Sequence, residues 1–91
     1  MNKIILNNIE YQIIDSNYDI NQSDIENLYT EYFHPYDYIL GDWAYNKLRL
    51  KGYYEKDNKN KNQFNNIESY KEYLKNNCAY GCKFFLIKKT K

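Results

Sequence analysis

Valine is absent from this 91-residue chain, and proline, arginine, histidine and tryptophan each occur once. Cysteine occurs twice and glycine three times. Two cysteines are too few for a disulfide scaffold. A zinc site built on Cys78-x3-Cys82 has an allowed thiol spacing, but it would need the lone His34 and then a carboxylate to complete four ligands. Small, buried, unreacted thiols are the simpler expectation, since a cytosolic redox poise opposes a disulfide. With so few glycines there is no phosphate-cradling loop and no dinucleotide fingerprint, and one histidine excludes the two-histidine metalloprotease helix. No cofactor is therefore expected. No apolar run approaches the roughly 18–20 residues of a membrane-spanning helix, and Met1 to Leu6 is too short for a signal peptide. A soluble, cytoplasmic protein is the expectation.

What the chain does hold is asparagine (14), lysine (12), tyrosine (12) and isoleucine (10). AT-rich codons spell all four, so composition alone says little about tyrosine, and individual rings matter only by position. Residues 1–91 are expected to form a single domain, because single cores usually span about 50–200 residues. The net charge of +1 hides a division. Residues 1–46 carry eight acids against Lys3 alone, while residues 47–91 carry twelve bases against four acids. Either the second half meets an acidic partner, nucleic acid being the commonest, or the halves neutralise each other within the fold.

Short β-branched runs at 3–6 and 9–14 flank Asn7-Asn8 and predict a hairpin. Asp15 to Gln22 reads as a polar connection. Ser23 and Glu26 resemble a capping box, and Ile25, Leu28, Tyr29, Tyr32 and Phe33 repeat with helical spacing. A helix is predicted to run from Ser23 until Pro35 stops it near Phe33. Tyr38 to Leu40 is a short strand, Gly41-Asp42 a turn or bulge signal, and Lys47 to Lys51 alternates as a half-buried strand with Leu48 and Leu50 inward. Their connection falls within 41–46. Residues 55–65 are polar until Phe64 and predict an exposed mobile loop. A second helix starts near Asn65 or Asn66, with Asn65 and Glu68 as a second capping box. It buries Ile67, Tyr70, Leu74 and Cys78, with Tyr73 at the margin, and stops at Gly81. Four consecutive apolar residues in 83–88 predict an interior strand covered on both sides, or one with helices on one face and a ligand or partner on the other. The expected fold is α+β in the order β-β-α-β-β-α-β, a mostly antiparallel sheet with two helices packed on it.

The central stretch Tyr-Asp-Tyr-Ile-Leu-Gly-Asp-Trp (residues 36–43), followed by Tyr45 and Leu-Arg-Leu-Lys-Gly (residues 48–52), resembles the signature of the YutD-like family of low-GC Gram-positive bacteria. Cys78-Ala79-Tyr80-Gly81-Cys82 before Phe84-Phe85-Leu86 is similar to that family's lead-in to its last strand. The likeness spans most of the chain, although a glycine often stands where this chain has Ala44. It implies a small cytoplasmic bacterial α+β protein with no established activity and no catalytic residues.

Three functional constellations follow from the residues. Lys47, Arg49 and Lys51 share one strand face with Tyr53, and by parity line up with Trp43 and Tyr45. Lys83, Lys88, Lys89 and Lys91 extend the charge. Cations interleaved with rings are what single-stranded nucleic-acid binders present, so RNA or a ribonucleoprotein is the first expected partner. The plainer reading is a solvated outer face with Trp43 as a core anchor. Exposed aromatics around Trp43 suit instead a protein–protein adaptor, whose charges only steer encounter. Last, His34 near Asp37 and Asp42 has the makings of an oriented base for a small hydrolase. No serine or cysteine nucleophile lies near them in sequence, and a turn-capping Asp42 accounts for the same residues.

Overall fold

Asn7 and Asn8 both adopt positive φ, 54° and 67°. Asparagine tolerates this left-handed region, and a two-residue turn of that kind matches the twist of flanking strands. It joins β1 (Lys3–Leu6) to β2 (Ile9–Ser16) in the antiparallel register Leu6↔Ile9 to Lys3↔Gln12. The computed structural model describes residues 3–44, 46–60, 65–77 and 82–90. The expectations for Tyr45, Phe64, Cys78, Gly81 and Lys91 lie outside these.

Then come α1 (Gln22–Glu26), a 3-10 turn at Glu31–Phe33, β3 (Tyr38–Ala44), β4 (Lys47–Tyr53), a second 3-10 turn at Ile67–Ser69, α2 (Tyr70–Asn77) and β5 (Phe84–Lys89). The strands form one sheet in the order β1-β2-β5-β3-β4, with every neighbouring pair antiparallel. The α+β class and element order expected from the sequence are the ones found. The apolar run of β5 makes it the central strand, with Phe85, Leu86 and Ile87 all buried.

Residues opposed across a ladder share a face. One face carries Ile4, Leu6, Tyr11, Ile39, Phe85 and Ile87, covered by Ile25 of α1 and Phe33 of the 3-10 turn. The other carries Leu40, Tyr53 and Leu86, covered by Ile67 and by Tyr70, Tyr73 and Leu74 of α2. Each fully buried large apolar side chain contributes about 1.5–3 kcal/mol, so two small cores of this kind hold the domain.

Four expectations need correction. The first helix does not run from Ser23 to Phe33. Asn21 is its cap, accepting a hydrogen bond from the Ser23 backbone N–H, and α1 ends at Glu26. Thr30 is extended (φ −137°, ψ 175°) and its hydroxyl caps the separate 3-10 turn. Ile25 and Phe33 still reach the core, but Leu28 is 41% exposed and Tyr32 66% exposed. Glu26 bonds Gln22 Nε2 rather than closing a box with Ser23, and Gln22 Nε2 also reaches the Ile5 carbonyl, tying α1 to β1. The second helical segment is capped by Asn66, not Asn65, through the Glu68 N–H.

The third correction is Gly41-Asp42, which is mid-strand rather than a turn. Gly41 is required by space: a Cβ there would lie 2.1 Å from the Phe85 ring. Gly41→Ala is therefore expected to destabilise by at least about 1–3 kcal/mol through overpacking, with recovery on adding Phe85→Leu. Thermal melts of the single and double variants check this; equal melting of Gly41→Ala and the parent would mean the ring has room to move. The fourth correction concerns the thiols. Cys82 is half-buried and disulfide-bonded, not a free buried cysteine.

Candidate functional site

The β3–β4 connection is two residues long, and Asn46 takes a positive φ of 64° to make it. Ala44 consequently pairs with Lys47, Trp43 with Leu48 and Asp42 with Arg49. Odd residues of β3 thus face even residues of β4. Trp43 stands on the leucine face, away from Lys47, Arg49 and Lys51, so the expected alignment of Trp43 with the basic residues is not formed. Tyr53 does share their face, but it is fully buried beneath α2. Tyr45 lies outside the described residues.

On that face the cations are largely engaged. Arg49 pairs with Asp42, which is only 1% exposed. The Lys51 ammonium lies 5.2 Å from the centre of the Tyr53 ring and 5.7 Å from that of Tyr73. Lys88 pairs with Glu55 at 3.0 Å and lies over Tyr38, and these contacts raise its pKa, the Glu55 hydrogen bond foremost. Lys89, paired with Tyr11, stands on the opposite face and donates to the His34 carbonyl. Lys47 is exposed at the start of β4, an edge strand of the sheet. Among the described residues, no exposed ring stands between these cations to serve as a stacking platform.

Nor does the structure assemble the His34–Asp42 pair. Asn7 Nδ2 sits 3.1 Å from His34 Nε2, and the imidazole packs beside Tyr29 on the α1 side of the sheet. Asp42 is on the α2 side, bound to Arg49 rather than capping a turn. Asp37 is occupied as well: its Oδ2 accepts from the Glu55 N–H at 2.8 Å and Asn58 Nδ2 at 3.0 Å, organising the segment after β4. No cluster of three metal-ligating side chains occurs among the described residues.

A concavity lies at the end of the sheet where β2 leaves and β5 enters. Asn17 builds it. Its N–H donates to the Phe84 carbonyl, its Oδ1 accepts from the Phe84 N–H at 2.8 Å, and its Nδ2 donates to the Cys82 carbonyl at 2.9 Å. This clamp brings Tyr18 and Asp19, just past β2, against Lys83, just before β5. Trp43 N–H donates to the Lys83 carbonyl, extending the β3–β5 ladder to the same end. A cleft of about 550 Å³ results, lined by Tyr18, Asp19, Asp24, Trp43, Asn46 and Lys83 among others.

Its aromatic wall is fixed. Trp43 Nε1 donates to the Tyr18 hydroxyl at 2.9 Å. Burial raises the Tyr18 pKa, opposed by that hydrogen bond and reinforced by the nearby Asp24 charge. The Lys83 ammonium lies 5.7 Å from the Tyr18 ring centre. Trp43 belongs to this site, as a ring near the surface rather than part of the nucleic-acid face expected from parity. Tyr18, Asp19, Asp24 and Lys83 were not singled out for it by sequence, because their only signal is a contact between segments some 65 residues apart.

Comparison with known proteins accords with this architecture. The family profile described as "YutD-like: Putative antitoxin YutD-like" matches residues 5–88. "Putative antitoxin YutD" of Bacillus subtilis (strain 168) is 32% identical over 89 residues, covering 97% of this chain and 98% of that one. The solution NMR structure of protein yutD from B. subtilis superposes with a TM-score of 0.80 at 31% identity, over 98% of this chain and 82% of that chain. Among the described residues, no helix is long and apolar enough to cross a membrane. By sequence and by fold alike, this chain belongs to the YutD-like family.

Proposed function

We propose that this chain is a non-catalytic binding module whose partner is a protein, engaged at the cleft beside Trp43. The observation that carries the reading is the cleft itself: a tryptophan and a tyrosine locked together at the mouth of a 550 Å³ hollow. Binding hot spots favour such rigid aromatic anchors in a pocket, ringed by polar groups. The name of the Bacillus relative, "Putative antitoxin YutD", suits a protein that works by holding another molecule. Catalysis finds little support, since the groups expected to supply a base are held apart on opposite sides of the sheet. RNA or a ribonucleoprotein at Lys47, Arg49, Lys51 and Tyr53 is less well supported, because a stacking surface needs exposed rings and Tyr53 is covered.

Capture from native lysate, with and without nuclease, tests the reading. One defined protein should be retained after nuclease treatment, and Trp43→Ala should weaken its capture at least tenfold while circular dichroism stays unchanged, as expected when a hot-spot ring is removed. Capture abolished by nuclease, or unaffected by Trp43→Ala, overturns it.

A further inference from the structure

We infer that the cleft beside Trp43 receives a cationic side chain, arginine or lysine, from the partner protein, and that Lys83 holds its place until then. This rests on the protein-binding reading above and adds the chemistry of the contact. Asp19 and Asp24 line the cleft, and neither makes a hydrogen bond or ion pair with its side chain among the described residues. Two carboxylates lining one hollow give it a negative character that an arriving cation would neutralise. The Tyr18 ring supplies a third element. Aromatic faces attract cations within about 6 Å of the ring centre, and the bond from Trp43 fixes the hydroxyl end of Tyr18, so the ring is held for that role.

The molecule already contains an example of the interaction. The Lys83 ammonium occupies the Tyr18 ring at 5.7 Å, although Lys83 is exposed and its flexible stem has solvent to swing into. One lysine against two aspartates leaves the cleft a net negative charge. A guanidinium suits what remains better than an ammonium does, since its planar fork can bond a carboxylate with two N–H groups while stacking on a ring. The arriving cation displaces Lys83. Removing Lys83 should therefore strengthen binding, the reverse of what losing a contact residue does.

Trp43 is the only tryptophan in the chain and forms part of the wall, so its fluorescence reports occupancy directly. The 91-residue protein is titrated with N-acetyl-arginine amide and, separately, with N-acetyl-citrulline amide, which has the same shape without the charge. The arginine probe should change Trp43 emission with a midpoint on the order of millimolar, as a single small contact of modest energy allows. Asp19→Asn, on an exposed loop, and Asp24→Asn should each raise that midpoint about fivefold, a loss typical of one partly exposed charge contact. Lys83→Gln should lower it about threefold by the same arithmetic. Equal binding of the citrulline probe, or weaker binding by Lys83→Gln, overturns the inference. If the arginine probe fails while Trp43→Ala still releases the captured protein, the cationic contact falls and protein binding stands. Nuclease-sensitive capture brings down the reading beneath both.

Discussion

Arg49→Met should cost about 3 kcal/mol in urea unfolding at neutral pH, the low end of what breaking a buried ion pair costs. The low end applies because Arg49 is 45% exposed, so water moderates its half of the pair. Asp42 has no such relief. It is 1% exposed, and its Oδ1 is buried with no hydrogen-bond partner, so Oδ2 against Arg49 carries its stabilisation. Removing the guanidinium leaves a buried carboxylate, opposite Phe84 in the ladder, without its counterion. The double replacement Asp42→Leu with Arg49→Met should recover most of the loss, because a packed apolar pair is often as stable as a buried ionic one. A single-variant loss under about 1 kcal/mol, the range of exposed pairs, would mean that solvent reaches Asp42 after all. Arg49 is then better described as the neutralising partner of a buried acid than as a free cation on a binding surface.

The same pair shows where sequence reading stopped short. Alternation at 47–51 identified a half-buried strand, and Asn7-Asn8 identified the first hairpin, because period two and left-handed turn residues are local signals. The pairing of β3 with β4 is different. Placing the connection anywhere within 41–46 leaves the register open, and a shift of one residue moves every side chain to the other face. Only the two-residue turn ending at Asn46 sets Asp42 against Arg49 and carries Trp43 away from the lysines. Gly41 misled for a related reason. Glycine marks turns, but it also marks close approach, and here the neighbour is a ring 44 residues further on. Periodicity alone cannot tell one long first helix from two short pieces: Ile25, Tyr29 and Phe33 have the same spacing in either. Thr30 was the available signal, since a β-branched hydroxyl residue favours capping over helix interior.

The cleft had no local signal at all. The stretch Asp15 to Gln22 is polar and reads as a connection, yet Asn17 within it bonds both Cys82 and Phe84. That single asparagine converts two ordinary chain segments into the walls of one hollow. Binding surfaces made by segments distant in sequence are invisible to pattern. Catalytic pairs suggested by nearness in sequence, such as His34 and Asp42, fail for the complementary reason: the sheet runs between them.

Alkaline solution should unfold this protein cooperatively, with the transition starting near pH 10 and complete by about pH 12. Burial raises the pKa of Tyr11, Tyr53, Tyr18, Tyr38, Tyr70 and Tyr73 above the ordinary value of 10.0. Tyr36 is pushed up to about 12, first by its hydrogen bond with Tyr32 and then by burial. Each phenol is harder to ionise folded than unfolded. The stability this contributes is fully present below pH 10 and drains away as pH rises toward the folded values, at up to about 1.4 kcal/mol per phenol for each pH unit climbed. Domains of this size hold only about 5–15 kcal/mol in total, so several phenols acting together are enough to empty the folded state. The tyrosinate absorbance that these seven rings contribute should therefore rise in one step with the loss of far-ultraviolet circular dichroism. Tyr53→Phe separates the contributions. The Tyr53 hydroxyl is buried with no hydrogen-bond partner, so its removal should leave stability at pH 7 unchanged or slightly improved while moving the alkaline midpoint upward. Tyr11→Phe should move the midpoint upward too, but at some cost at pH 7, because it strips the Tyr29 hydroxyl of a 2.8 Å partner. Tyrosinate absorbance that reaches its full amplitude well below the loss of structure would show that the buried rings ionise in place, and burial would then not be what protects them.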